Sequence, residues 1–185
     1  PERHMSISGG APALRFEEIG KAQSFTEVGA LTVATEDVTL EGPAGPEPLK
    51  QARVSANFLS ILGVEPLVGR AFLRDEDAPE TSPAVMISAD LWHRRFAADP
   101  LILGRSVRVG SRPCTIVGVL PQHFEFPFSG VDVWVTSPSE PAMLPPSARR
   151  ASPILGVFGR LRPGVSQEQA NAELAVINRR YAASH

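Results

Sequence analysis

Hydrophobic residues at three- and four-residue intervals mark the helices that this chain is predicted to form. The longest such stripe predicts a C-terminal helix with one buried face and consists of Ala170, Leu174, Ile177 and Tyr181. Ser166 precedes this helix, and Gln169 follows three residues later, which is the spacing of a capping box. Shorter helices are predicted over 12–24, around 58–62 with a glycine at the end, and over SADLWHRRF with Ser88 as the cap.

Other stretches alternate between hydrophobic and polar residues, as strands do when one face of a sheet is buried. The segments SVRV and PCTIVGV, joined by Gly110–Ser111, predict a hairpin over 106–119. Pro83–Ile87 is a continuous apolar run, which is typical of a strand buried on both faces. Further strands are predicted over 131–135 and 155–161.

Between residues 27 and 40 the alternation changes phase. Leu31 and Val33 share one face, whereas Val38 and Leu40 have the opposite parity. The change predicts a bulge or a bend within one long strand. With a returning strand over 48–55, we expect an antiparallel hairpin over 29–55.

Strands and helices are mixed along the chain without regular alternation, which favours an α+β fold over a doubly wound sheet. The 185 residues suit one compact domain or two small lobes, and 43% hydrophobic with 21% charged residues is typical of a folded soluble protein. A net charge of −2 lacks the basic excess that nucleic-acid binding needs. No apolar run reaches the roughly 18–20 residues that span a bilayer, although the chain can still be a part cut from a membrane protein.

The first eleven residues are expected to lie outside the fold. Pro1–Met5, PERHM, resembles a cloning scar. Residues 6–11, SISGGA, are predicted to be a flexible linker.

The acidic run Asp75–Asp77 is the first candidate for chemistry, because three neighbouring carboxylates can bind a hard cation. The run lacks the alternating ligand spacing, central glycine and distal glutamate of a calcium loop, so a solvated turn is predicted. His93 stands beside two arginines and is predicted to lie on the surface. Cys114 lies in the apolar run CTIVGVL and is predicted to be a small buried residue rather than a reactive thiol.

The chain carries no GxSxG, HExxH, CxxC, P-loop or post-strand GxGxxG motif. We therefore assign no catalytic, cofactor-binding or metal-binding residues and predict that the protein is not an enzyme and needs no cofactor. Phe124, Phe126 and Phe128 alternate with other residues, and packing onto a core is favoured over contact with a partner. Residues 137–153 form a long proline- and serine-rich loop, and loops of this length are often functional or mobile.

Four segments in fixed order carry a family resemblance over about residues 12–182. They are VSANFLSILGVEPLVGRAFLRDED, PAVMISADLWHRRFAADPLILGRSVRVGSRPCTIVGVLPQHFEFP, DVWV and GRLRPGVSQEQANAELAVI. Together they resemble the MacB-like periplasmic core domain of ABC-transporter permeases in the FtsX-like superfamily. Gly110–Ser111 departs from the Asn-Gly-like turn that family members often carry, but a turn is still expected there.

The resemblance implies a non-catalytic periplasmic domain between two transmembrane helices of a bacterial inner-membrane permease. It implies two lobes: a porter-like α/β sandwich over 12–76 plus 150–185, and an inserted, mainly β, Sabre-like lobe over 77–149. Lobe movement would couple cytoplasmic ATP hydrolysis to substrate export or periplasmic work.

The partners that the resemblance implies are the permease's own transmembrane helices and a second permease copy or half. A periplasmic adaptor or a lipoprotein is a further candidate partner, and the isolated domain is expected to be a monomer.

Two other functions stay open from the sequence. One is a lipoprotein-releasing or cell-wall-hydrolase-regulating permease domain, with the 137–153 loop and the Phe124–Phe128 aromatics as contact candidates. The other is a free-standing soluble hydrolase or ligand-binding protein, which requires a concave pocket lined by convergent polar groups.

Overall fold

The computed structural model describes residues 4–77, 83–137, 146–149 and 151–184. In chain order the strands are β1 (His4–Ala11), β2 (Phe25–Thr32), β3 (Glu36–Glu41), β4 (Glu47–Arg53), β5 (Val68–Gly69), β6 (Ala84–Ile87), β7 (Ser106–Val109), β8 (Arg112–Val119), β9 (Val133–Val135) and β10 (Leu155–Leu161). The helices are α1 (Ala13–Ile19), α2 (Phe58–Leu62), α3 (Ala89–Phe96), α4 (Pro146–Arg149) and α5 (Gln167–Ser184), with a 3₁₀ turn at Arg74–Asp77. This mixture confirms the predicted α+β class.

The chain divides into two compact units. The first unit combines Pro1–Val33 with Ser139–His185, and the second unit is Ala34–Pro138. The boundary expected from the sequence, between residues 76 and 77, falls inside the second unit. The reason is that β3 and β4, which precede residue 76, hydrogen-bond to β7 and β9, which follow it.

The first unit is a three-stranded antiparallel sheet in the order β1-β10-β2. Helices α1 and α5 cover one face, and the core joins residues of the sheet to residues of both helices. This core includes Ile19, Phe25, Ala30, Leu155, Val157, Ala170 and Leu174. The capping box at the start of α5 is confirmed, because Ser166 and Gln169 exchange backbone-to-side-chain hydrogen bonds of 2.8 and 3.1 Å.

The prediction that residues 6–11 form a flexible linker is wrong, because they belong to strand β1. The strand pairs antiparallel with β10, from His4 opposite Arg160 to Ala11 opposite Leu155. Ile7 packs against the core of the first unit, and Ala11 is fully buried within it. Ser6 and Ser8 flank Ile7, so the sequence lacks the alternation of hydrophobic residues that predicts a strand.

The second unit is built on a sheet that closes on itself. Its strands follow the order β8-β6-β9-β4-β3-β7, and β7 pairs again with β8, while the short β5 attaches to β8. We call these six strands the closed sheet. The predicted hairpin over 106–119 is confirmed as β7 and β8, and the fully buried strand predicted at 83–87 is confirmed as β6.

The phase change between residues 27 and 40 has a different cause from the one predicted. Instead of one bent strand there are two, and β2 belongs to the first unit while β3 belongs to the second. The hairpin therefore comprises only β3 and β4, with Glu36 opposite Gln51. The apparent phase change arises because Leu31 lies on the less buried face of β2 and Val33 is exposed just after it, whereas the core residue Ala30 has the same parity as Leu40.

Local signals for the helices of the second unit are confirmed. Ser88 accepts a hydrogen bond of 3.0 Å from the backbone of Leu91 and caps α3. Helix α2 ends at Gly63, which has a φ of 70° in the left-handed region that glycine adopts without strain.

Candidate functional site

The acidic run Asp75–Asp77 is not the solvated turn that was predicted. Glu76 accepts two hydrogen bonds from the Arg70 guanidinium, of 2.7 and 3.0 Å, and a third of 2.7 Å from the backbone of Leu73. Although burial acts to raise it, these bonds hold the pKa of Glu76 below its ordinary value. Only Asp75 of the three is well exposed.

Asp77 joins two segments that are distant in sequence. Its carboxylate accepts hydrogen bonds from the backbone of Ala56 at 2.9 Å and of Ser137 at 3.3 Å. The Ser137 hydroxyl donates in return to the Asp77 carbonyl at 2.9 Å, and the Thr136 hydroxyl donates to the Glu76 carbonyl. Burial raises the pKa of Asp77, and the two backbone donors oppose that rise. We call this group of contacts, from Ala56 through Glu76 and Asp77 to Thr136 and Ser137, the exit clamp.

A second polar group lies inside the closed sheet. Glu36, Gln51 and Arg53 are only 8%, 5% and 8% exposed. The Arg53 Nε atom lies 3.1 and 3.0 Å from the two carboxylate oxygens of Glu36, and the Gln51 side chain donates to the same carboxylate. We call these three residues the entry cluster. They were missed from the sequence, although Glu36 keeps the parity of the inward-facing Leu40.

A third polar contact fixes helix α3 to the strands. Arg94 donates to Glu47 at 2.8 Å and to Asp132 at 2.7 Å. Asp132 also accepts a bond of 3.0 Å from the backbone of Lys50 in β4. Arg94 therefore connects α3 to β4 and to the start of β9.

The aromatic residues after β8 pack within the second unit. The ring of Phe58 lies 6.3 Å from Phe124 and 6.4 Å from Phe126, and Phe124 lies 5.6 Å from Trp134. The fully buried Trp134 indole donates a hydrogen bond of 2.7 Å to the Phe126 carbonyl. The core interpretation is therefore confirmed for Phe124 and Phe126, and the interpretation as partner contacts is not favoured.

Cys114 and His93 lie where the sequence predicted. Cys114 is 4% exposed in the core of the closed sheet, and burial raises the pKa of its thiol. His93 is exposed, with its ring 5.4 Å from that of Trp92. Across the described ranges, no three His, Cys, Asp or Glu side chains come together as a metal site would require.

Most of the predicted 137–153 loop lies outside the described residues, so its role as a contact region stays a prediction. A different surface feature emerges on the second unit, where four leucines are exposed among the described residues. Leu73 is 50% exposed, and Leu67, Leu101 and Leu103 are 51%, 82% and 42% exposed. The Leu103 side chain lies over Gly69. A β-carbon added to that glycine would be 2.7 Å from a methyl carbon of Leu103. Its position beside β5 depends on tertiary packing, so sequence periodicity gave no signal for it.

Taken together, the described residues define an α+β domain whose polar groups tie chain segments to one another. None of the described helices is long and apolar enough to cross a membrane. The sequence profile of the MacB-like periplasmic core domain matches residues 5–177. The chain therefore belongs to the MacB-like periplasmic core domain family and is the periplasmic domain of an ABC-transporter permease.

Solved structures share this fold at low sequence identity. The periplasmic region of MacB from Actinobacillus actinomycetemcomitans is 13% identical with a TM-score of 0.73, covering 98% of this chain and 77% of that one. A domain of a permease protein from Porphyromonas gingivalis is 24% identical with a TM-score of 0.61, covering 95% and 72%. The extracellular domain of the ABC-type transporter YknZ from Gram-positive bacteria is 16% identical with a TM-score of 0.65, covering 92% and 84%. A search of curated protein sequences finds no match.

Proposed function

We propose that this domain transmits movement from the membrane part of its permease to the periplasm, so that cytoplasmic ATP hydrolysis drives substrate export or other periplasmic work. The observation that carries the proposal is the insertion of the second unit into the first. The first unit combines Pro1–Val33 with Ser139–His185, and the second unit is Ala34–Pro138 between them. A unit attached through two connections can move as a rigid body relative to the unit from which it is inserted. This role is non-catalytic.

Distance measurements in the full permease test the proposal. Spin labels at Lys21→Cys in the first unit and Glu41→Cys in the second report on movement between units, in a Cys114→Ala background. We expect the label-to-label distance distribution to differ between the nucleotide-free and ATP-bound permease, because movement of the units accompanies the nucleotide cycle.

A matched pair within the second unit, Glu41→Cys with Ser129→Cys, serves as the control and should give one distribution in both states. An inter-unit distribution that stays the same while the permease hydrolyses ATP would contradict the proposal.

A partner-binding role, as in lipoprotein release or regulation of a cell-wall hydrolase, is the second candidate function. The exposed leucines Leu67, Leu101 and Leu103 favour it, because exposed apolar side chains supply protein contact surfaces, and Leu67 and Leu103 both lie beside β5. The neighbouring ionic side chains already have partners in the domain, since Arg70 pairs with Glu76 and Arg105 with Asp99. A partner would therefore contact this surface mainly through apolar side chains.

A photo-reactive amino acid at position 101 of the full permease in cells tests this second candidate. We expect an adduct with a lipoprotein or a cell-wall hydrolase, and we expect Leu101→Asp to abolish the adduct of a probe at position 67. Val176→Asp, at a 37% exposed position of the first unit, is the matched control. Absence of both adducts from the working permease would remove this candidate.

A further inference from the structure

The chain enters and leaves the second unit beside the same end of strand β4. Strand β3 begins the unit and runs antiparallel to β4, so its first residue Glu36 lies near the C-terminal end of β4. Strand β9 runs parallel to β4, so its last residue Val135 pairs with Arg53 at that end. Because neighbouring strands are about 5 Å apart, the two connections start about 10 Å from each other.

Each connection is tied to this end of β4 by polar side chains. On the entry side, Glu36 is held by Arg53 and Gln51, both on β4. On the exit side, Asp77 joins Ser137 to Ala56, three residues beyond the end of β4. A backbone hydrogen bond joins the chain at the same end, because the Val54 amide donates to the Val135 carbonyl at 2.9 Å.

The exit side also carries backbone strain. Ser137 has a φ of 61°, in the left-handed region that non-glycine residues rarely adopt. Such a conformation is kept when several surrounding contacts hold the residue in it. Here the amide and the hydroxyl of Ser137 both bond to Asp77, and the preceding Thr136 bonds to Glu76. The exit segment is therefore held in one conformation.

We propose that the entry cluster and the exit clamp together form a mechanical latch at this end of the second unit. A sheet that is peeled from a strand end breaks its hydrogen bonds one at a time, starting at that end. Force on the two connections starts this peeling at Glu36 and Val135, where the side-chain contacts concentrate. The latch lets the connections pull the unit as one body without opening its sheet.

The latch rests on the proposed function, because it matters only if the connections carry force. It goes beyond that proposal by naming the contacts that resist the force. It also gives a role to Glu76 and Asp77, which the fold alone does not explain.

Single-molecule pulling on the whole chain tests the latch. Handles at Ala34→Cys and Pro138→Cys, in a Cys114→Ala background, load the latched end. Handles at Ala44→Cys and Ser129→Cys load the opposite end of the same strands. At fixed force on the latched end, we expect Asp77→Ala to unfold about tenfold faster than the parent, because two backbone donors lose a charged acceptor. On the opposite end we expect little change.

Two further variants complete the test. Asp75→Ala removes an exposed carboxylate from the same 3₁₀ turn and should match the parent in both pulling directions. Ser137→Ala keeps the carboxylate and should give an intermediate rate, which preserves the test if Asp77→Ala fails to fold.

Two outcomes would overturn the latch. One is an Asp77→Ala rate at the latched end equal to that of Asp75→Ala. The other is equal acceleration from both ends, which would make the clamp a general stabiliser. Either outcome leaves the nucleotide-dependent distances unaffected, so failure of the latch and failure of the proposed function are distinguishable.

Discussion

Each unit of this domain fastens a segment of chain with one carboxylate that accepts two backbone hydrogen bonds. In the first unit, Glu173 of α5 accepts from Gln23 and Ser24 at 2.6 and 2.8 Å. In the second unit, Asp77 accepts from Ala56 and Ser137 at 2.9 and 3.3 Å. The chemistry is the same, but the environments differ.

The difference appears in the direction of the pKa shifts. Burial acts to raise the pKa of Glu173, but its hydrogen bonds prevail and leave that pKa lowered. Burial prevails at Asp77, and its pKa is raised despite the two donors. Two backbone hydrogen bonds therefore do not decide by themselves whether the pKa of a carboxylate is lowered or raised, because desolvation can outweigh them.

The largest effect is expected where a carboxylate is most deeply buried, at Glu36. Arg53→Ala removes the cation that pairs with that charge inside the closed sheet and should lower the free energy of unfolding by about 3–5 kcal/mol. Urea unfolding followed by tryptophan fluorescence measures it, because both tryptophans, Trp92 and Trp134, lie in the second unit.

Arg105→Ala is the control for the entry cluster, because its side chain is 48% exposed and its loss should cost less than about 1 kcal/mol. If Arg53→Ala does not fold, the triple variant Glu36→Leu, Gln51→Leu and Arg53→Met should restore folding, since it removes the buried charge together with its partners. If Arg53→Ala lowered the free energy of unfolding as little as Arg105→Ala does, the depth of burial would not determine the energetic cost of losing an ion pair.

The next effect is expected at Asp77. Asp77→Ala should lower the free energy of unfolding of the second unit by about 2 kcal/mol, because two backbone donors lose their acceptor. The relief of the buried charge offsets part of that loss. The same urea experiment measures it, and Asp75→Ala is the control. A stabilised Asp77→Ala would show that desolvation outweighs both hydrogen bonds.

Sequence pattern predicted much of this fold because its signals are local. The capping box at Ser166, the Ser88 cap and the hairpin over 106–119 each depend on neighbours within a few residues. The partners of Asp77 are 21 and 60 residues away in sequence. No spacing in the sequence predicts contacts between residues so far apart. The acidic run was therefore predicted to be a solvated turn.

The entry cluster shows a different limit. Glu36 keeps the alternation of β3, and Gln51 and Arg53 keep that of β4. Their inward position could have been predicted once the strand bounds were known. The boundary between the units hid those bounds, because the phase change before Glu36 was interpreted as a bend within one strand.

A smaller effect is expected in the first unit. Glu173→Ala should cost about 1 kcal/mol, because its carboxylate lies near the surface, where water replaces part of what is lost. Hydrogen exchange of the Gln23 and Ser24 amides measures this directly, and both should exchange faster in the variant. Glu168→Ala, an exposed glutamate in the first turn of the same helix, is the control and should leave both amides unchanged.

The smallest effect, and the sharpest form of the comparison, is a pair of opposite pH slopes. Because the pKa of Asp77 is raised on folding, the folded state holds a proton that the unfolded chain has lost. Its contribution is fully present below the unfolded pKa and disappears as pH rises through the folded pKa. Because the pKa of Glu173 is lowered, its contribution is present above the unfolded pKa and disappears as pH falls through the folded pKa.

Unfolding measured across the acidic range tests these signs with Asp77→Asn and Glu173→Gln. Relative to the parent, Asp77→Asn should remove a decrease of second-unit stability with rising pH. Glu173→Gln should remove an increase of first-unit stability with rising pH. Hydrogen exchange of the Gln23 and Ser24 amides measures that stability. Each slope should stay below about 1 kcal/mol per pH unit, because each reports the fractional protonation of one group. Slopes of the same sign would mean that the two carboxylates share one environment, and that burial does not distinguish the exit clamp from its counterpart in the first unit.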